Sequence, residues 1–171
     1  MSRVRLITDR DEDLSPEQKD TAAWVVESRG RVVRPFQVLL HIPRLAKHVA
    51  KLGAEIRFDS SLLDRDRELV ILATARAQGC TFEWESHLPL ARAAGVREEA
   101  IDHVRDGGGS LTETEDLFIG FVRELCEGMT VSPDTFERAR AILGEAGVVE
   151  LSATVGYYTF LAMVMGACDA C

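Results

Sequence analysis

The residues best suited to chemistry stand close together between Glu68 and His87. If a helix opens near Cys80, then Cys80, Glu83 and His87 occupy positions i, i+3 and i+7, which share one helix face. A thiol, a carboxyl and an imidazole in that order form an acid/base cluster through which a proton can pass. Glu85 lies about 200° around the helix from Glu83, so it points to solvent or to a neighbouring subunit. Glu68 and Arg76 interrupt the otherwise apolar run from Asp64 to Gln78. Charged groups in such a run are paired or hydrogen-bonded, which makes both of them candidates to complete the cluster. Each residue also has a plainer reading: Glu68 at a helix edge, Arg76 as a structural ion-pair partner, His87 as a hydrogen-bonded core imidazole and Cys80 as a buried inert thiol.

In combination the residues say more. Glu68, Cys80 twelve residues on, Glu83 three further, His87 four further and then Leu90-Ala91-Arg92-Ala93-Ala94-Gly95-Val96 form a pattern that resembles the carboxymuconolactone decarboxylase and alkylhydroperoxidase D-like superfamily, over roughly Leu40 to Gly166. In the peroxidase branch, the resemblance implies a Glu, then Cys-x-x-Cys, then His, with two thiols cycling through a disulfide while the Glu and His relay protons. Cys80 and His87 fill the first cysteine and the histidine positions here, but Glu83 holds the second cysteine position. A carboxylate cannot attack a sulfenic acid to form a disulfide. Cys168 and Cys171 would substitute for it only if the last helix returned to the site, and are otherwise chain-end thiols.

With Glu83 in place, the pattern looks more like the decarboxylase branch. That resemblance implies a cofactor-independent lyase that removes CO₂ from a small lactone carboxylic acid and protonates the resulting carbanion or enolate. Such a reaction needs a general acid and a positive or hydrogen-bonding group for the developing oxyanion. The implied roles are His87 as proton donor or shuttle, Glu83 as its orienting partner or alternate acid, Glu68 as second carboxyl and Arg76 as anion anchor; Trp84, read from its residue type, is a substrate-pocket wall or a core or subunit-contact aromatic. Two other readings stay open. One is a thiol-dependent alkylhydroperoxidase-like antioxidant protein using Cys80, whose thiolate is favoured at a helix N-terminus near a histidine. The other is a non-catalytic protein that binds a small ligand or serves as an assembly subunit.

The elements that must position these groups read as helices almost throughout, an all-α chain of seven or eight. Ser15-Pro16-Glu17-Gln18 combines an N-cap, an N1 proline and a capping-box glutamine, predicting a helix from Pro16 to Ser28 that stops at Gly30. A second runs from Phe36 to Leu52 and ends at Gly53, kinked or split by Pro43. The run from Asp64 to Gln78 is a mostly buried helix, and Thr81 caps the next, Phe82 to Ala94, which Gly95 closes. Arg97-Glu98-Glu99-Ala100 starts one short helix to about Arg105, followed by the loop Asp106 to Ser110. Thr112 and Glu115 form a capping box for a helix to Glu127, Ser132-Pro133-Asp134 starts one to Leu143, and the most apolar helix, Val148 to Ala167, is expected to be central or to lie at an interface. Gly156 and Gly166 are read as packing positions. Residues 1–34 form an N-terminal extension with one helix, and residues 35–171 the carboxymuconolactone decarboxylase-like helical domain.

Composition bounds the function. The 171 residues carry 20 Lys+Arg against 28 Asp+Glu, a formal net charge of −8, which disfavours phosphate backbones and anionic lipid. The stretch Gly156 to Cys168 is shorter than a bilayer span, and no signal-peptide core is seen, so the expected address is the cytoplasm. Four irregularly spaced cysteines make no disulfide framework, and one terminal Cys-x-x-Cys without further ligands makes no zinc site. His41 and His48 lack matching ligands and read as surface or pocket-lining residues, His103 is solvated near a helix C-terminus, and Tyr157 and Tyr158 are core, contact or pocket-wall aromatics. The expectation is no cofactor, no metal, no nucleic acid and no membrane, but a small-molecule substrate and a homo-oligomer, which the resemblance makes a trimer or hexamer.

Overall fold

The structure, a computed structural model, describes residues 2–171, which contain eight α-helices and no strand. They are α1 (Pro16–Arg29), α2 (Arg34–Leu39), α3 (Pro43–Phe58), α4 (Asp64–Ala77), α5 (Thr81–Ala93), α6 (Glu98–Asp106), α7 (Glu113–Gly128) and α8 (Pro133–Ala167). The all-α expectation holds, and the chain divides into two compact units.

One unit comprises the residues up to Asp59 together with Met163–Cys171. Ser15 and Gln18 cap α1 reciprocally, and Gly30 closes it in the left-handed region. Pro43 splits the next helix outright: α2 ends at Leu39, and Pro43 takes the first position of α3, where its missing N–H has no intrahelical role. Gly53 does not end α3. It lies on the buried stripe Ala46, Val49, Ala50, Gly53 and Ile56, whose 3.6-residue period continues past the glycine and carries the helix to Phe58. Thr21 Oγ1 donates to the Pro43 carbonyl at 3.3 Å and Arg29 Nη2 to the Ala50 carbonyl at 3.0 Å, tying α1 to α3.

The other unit, Ser60–Ala162, contains α4 to α7 and most of α8. Its central helix is α4, which is buried continuously from Arg67 to Ala75 and packs on α5, α6 and α7. Leu69 and Leu72 meet Ala91, Ala100 and Ile101 on one side, while Val70 and Ala73 meet Phe118, Phe121, Leu151 and Val155 on the other. The last helix buries Val148, Leu151 and Val155 in that cluster and exposes Val149 and Met163. The two helices expected before and after Gly144 are joined there, with that glycine alone non-helical at φ 69°, so the second piece starts earlier than Val148. This run is long and apolar enough to cross a membrane by length and composition, against the shorter span read from sequence, but half of its most apolar window is buried within the protein. Gly156 and Gly166 face open space and pack against nothing.

Candidate active site

The site begins with the turn between α4 and α5. Gly79 adopts φ 63°, a left-handed conformation that side chains resist, and thereby reverses the chain. The Cys80 amide then donates to the Ala75 carbonyl at 2.9 Å and the Gly79 amide to Arg76 at 3.1 Å, the paired bonds of a Schellman ending. The cap of α5 is accordingly Cys80 rather than Thr81, and its side chain makes no capping hydrogen bond. Sulfur is a poor acceptor, and the helix start is held instead by the turn.

Two of the predicted groups meet across the helix pair. His87 on α5 places Nδ1 2.7 Å from Glu68 Oε2 on α4, a buried hydrogen bond between residues nineteen apart. Its other nitrogen, Nε2, lies 3.6 Å from Glu83 Oε2, one turn earlier on α5. The side chains of His87, Glu68 and Glu83 are 6%, 6% and 4% exposed. The result is a buried chain of carboxyl, imidazole and carboxyl. Tyr158 closes one side of it, standing edge-on to the imidazole with ring centroids 5.1 Å apart, and Tyr157 packs edge-on against Tyr158.

Cys80 is also buried and sits one turn before Glu83, at the α5 start. Both imidazole nitrogens thus face carboxyl groups. Glu85 is exposed, as its angular position requires.

Beside this chain, a cavity of about 300 Å³ is lined by Arg76, Gly79, Cys80, Thr81, Trp84 and Arg105, with Ala75. Arg76 is exposed and is not an ion-pair partner among the described residues; its Nε donates to the Arg105 carbonyl at 3.0 Å. Trp84 is half-buried, with the Arg105 guanidinium carbon 5.9 Å from its ring centre. Glu68, Glu83 and His87 do not line this cavity. Arg105 is the residue that sequence reasoning missed. Its connection depends on α6 packing beside α4, and no local spacing announces that.

The remaining candidates lie elsewhere. His41 Nε2 pairs with the Arg5 carbonyl at 2.8 Å, and His103 lines a separate cavity with Arg123 and Cys126. Cys126 and Cys168 are free thiols. Among the described residues, no group of three or more His, Cys, Asp or Glu is placed to hold a metal ion.

The helix order and the turn-linked α4–α5 pair define an alkylhydroperoxidase D-like fold. An uncharacterized peroxidase-related protein of Ralstonia eutropha with an alkylhydroperoxidase AhpD core superposes with TM-score 0.81 at 16% identity, covering 99% of this chain and 91% of that one. An uncharacterized peroxidase-related protein of a Silicibacter species gives 0.79 at 11% identity, covering 99% and 91%. A putative antioxidant defence protein AhpD of Agrobacterium tumefaciens gives 0.68 at 21% identity, covering 78% and 93%. Residues 43–114, which carry Glu68, Cys80, Glu83 and His87, match the carboxymuconolactone decarboxylase family. That segment is under half of the chain, and over its whole length the chain resembles the carboxymuconolactone decarboxylase and alkylhydroperoxidase D-like superfamily in fold. No functionally curated protein matches it significantly.

Proposed function

We propose that this protein is a cofactor-independent lyase that removes CO₂ from a small organic acid or lactone and protonates the carbon left behind. The observation that carries this reading is the buried Glu68–His87–Glu83 chain, in which both imidazole nitrogens face carboxyl groups and the imidazole can pass a proton from one side to the other. The C–C bond to the departing carboxylate breaks and leaves its electron pair on carbon, delocalised into an adjacent carbonyl as an enolate. The new C–H bond forms with a proton that the His87–Glu83 pair relays to the cavity, and Glu68 holds the imidazole in orientation. Arg76 offers positive charge toward the oxyanion. Net, one carboxylate and one proton become one C–H bond and CO₂.

The test is CO₂ release from a panel of lactone carboxylic acids. His87→Ala and Glu83→Gln are expected to lose about 10²–10⁴-fold in rate while Cys80→Ser retains most of it. Comparable loss in Cys80→Ser would overturn the lyase reading.

One observation favours a second reading, thiol-dependent hydroperoxide reduction: of the four clustered groups, only Cys80 reaches the cavity wall. Cys80 is disulfide-bonded in the structure; once an external dithiol has reduced it, its thiolate would attack the terminal oxygen of a hydroperoxide, breaking the O–O bond and releasing an alcohol once the alkoxide takes a proton. The resulting sulfenic acid would then be attacked by a second thiol, releasing water and forming a disulfide that an external dithiol reduces. Peroxide challenge of the dithiol-reduced protein with mass spectrometry of each cysteine decides it. Fast oxidation at Cys80, joined to Cys126, Cys168 or Cys171, supports this reading, and slow unselective oxidation removes it.

A further inference from the structure

The cavity beside Cys80 has a charge character at odds with the rest of the chain. The protein carries a net charge of −8, yet the cavity lining contains two guanidinium groups, Arg76 and Arg105, and no carboxyl group. Arg76 contributes one hydrogen bond, from Nε to the Arg105 carbonyl, so its terminal nitrogens carry no partner among the described residues. Arg105 is partly neutralised by Asp102, at 2.6 Å from Nη1, and its guanidinium remains 42% exposed beside the Trp84 ring. Bringing two like charges to one concave wall is unfavourable unless an anion shares the space, and guanidinium forks suit a carboxylate in particular. Thr81, the first residue of α5, also lines the cavity, so the positive end of that helix adds to the same field.

The apolar part of the wall is as informative. Trp84 presents an indole with one polar atom and a wide flat surface, and Cys80 and Ala75 lie beside it. Such a surface suits a planar, unsaturated body rather than a flexible polar one. A volume of about 300 Å³ holds a molecule of roughly ring size.

We propose that Arg76, Arg105 and Trp84 form a specificity subsite for a planar, unsaturated carboxylate, with the two arginines holding the carboxylate and the indole supporting the body. This deepens the lyase reading and rests on it for the identity of the bound molecule as substrate. Arg105 becomes a specificity-determining residue, and Asp102 positions it. Glu83, one residue before Trp84 in α5, links the subsite to the proton chain.

The probe is benzoate, with benzamide as its neutral isostere, followed by titration calorimetry and by Trp84 fluorescence in a Trp24→Phe background. Benzoate is expected to bind saturably at millimolar concentrations and to weaken as salt rises, and benzamide is expected to bind at least about tenfold more weakly. Arg105→Gln and Arg76→Gln should each weaken benzoate by about tenfold, and Arg105→Lys should recover part of the loss, which separates lost charge from lost folding. Equal binding of benzamide, absence of saturable benzoate binding, or indifference to both arginine substitutions would overturn the subsite. The lyase reading fails separately. His87→Ala should bind benzoate like the wild type, so Arg-dependent binding without any His87-dependent turnover leaves the subsite standing and removes the lyase, while His87-dependent turnover without benzoate binding does the reverse.

Discussion

Glu68 and His87, on different helices and nineteen residues apart, share a 2.7 Å hydrogen bond at a point where both side chains are 6% exposed. Such a contact fixes which imidazole nitrogen faces α4 and leaves the other directed toward Glu83. Glu68 is therefore a positioning residue with a measurable structural cost. Glu68→Ala leaves a buried ring nitrogen without its partner and is expected to lower stability by about 1–3 kcal/mol, read as a fall of several degrees in the thermal midpoint. An unchanged midpoint would show that the bond does not hold the pair.

The relay makes a second prediction about how activity is lost. His87 and Glu83 lie behind the cavity rather than on its lining, so their replacement should lower kcat while leaving KM nearly unchanged. Arg105→Gln should do the opposite, raising KM first. Steady-state kinetics on a turned-over acid separates the two patterns, and a rise in KM alone for His87→Gln would contradict the placement.

Two glycines should differ in their tolerance. Gly79 needs its left-handed backbone, but a Cβ there meets nothing within 4 Å, so Gly79→Ala is expected to cost about 1–2 kcal/mol from backbone strain alone. At Gly109, φ is 69° and a Cβ would sit 2.1 Å from the Glu99 carbonyl oxygen. Gly109→Ala should therefore be clearly the worse of the two in denaturant unfolding, because strain and a backbone clash add.

Glu150 gives a pH-dependent contribution whose sign follows from its surroundings. Burial pushes its carboxyl upward, but hydrogen bonds from the Ser61 hydroxyl and amide and from Ser60, with the nearby charge of Arg67, outweigh that and hold it below the usual carboxylate range. The folded state thus favours the ionised form, so the stabilisation is fully present above the unfolded carboxyl's ordinary value and is lost as pH falls through the lowered folded value. Glu150→Gln should destabilise at neutral pH, with the difference from wild type shrinking in acid. Equal destabilisation at both would show that the charge plays no part.

Much of this was legible before the fold was seen, for reasons that can be named. The caps at Ser15 and Thr112 are local side-chain-to-backbone bonds, encoded within four residues, and both form as their sequences imply. The face shared by Cys80, Glu83 and His87 follows from helix period alone, and all three are buried. Gly53 misled because a glycine reads as a stop, whereas the buried stripe running through it to Ile56 outweighs its propensity. Arg105 stayed invisible because its partnership with Arg76 and Trp84 exists only after α6 has packed against α4. Local chemistry is written in neighbouring residues; a cavity wall drawn from three helices is not.

The most direct test of the central claim is turnover of a lactone carboxylic acid in D₂O by the wild type, Cys80→Ser and His87→Ala, with the product followed by proton NMR. The predicted result is one deuterium on the carbon that carried the lost carboxylate, formed at similar rates by the wild type and Cys80→Ser and at least about 10²-fold more slowly by His87→Ala. The contradicting result is loss of turnover in Cys80→Ser to the same degree, or no decarboxylation at all alongside rapid hydroperoxide consumption that requires Cys80.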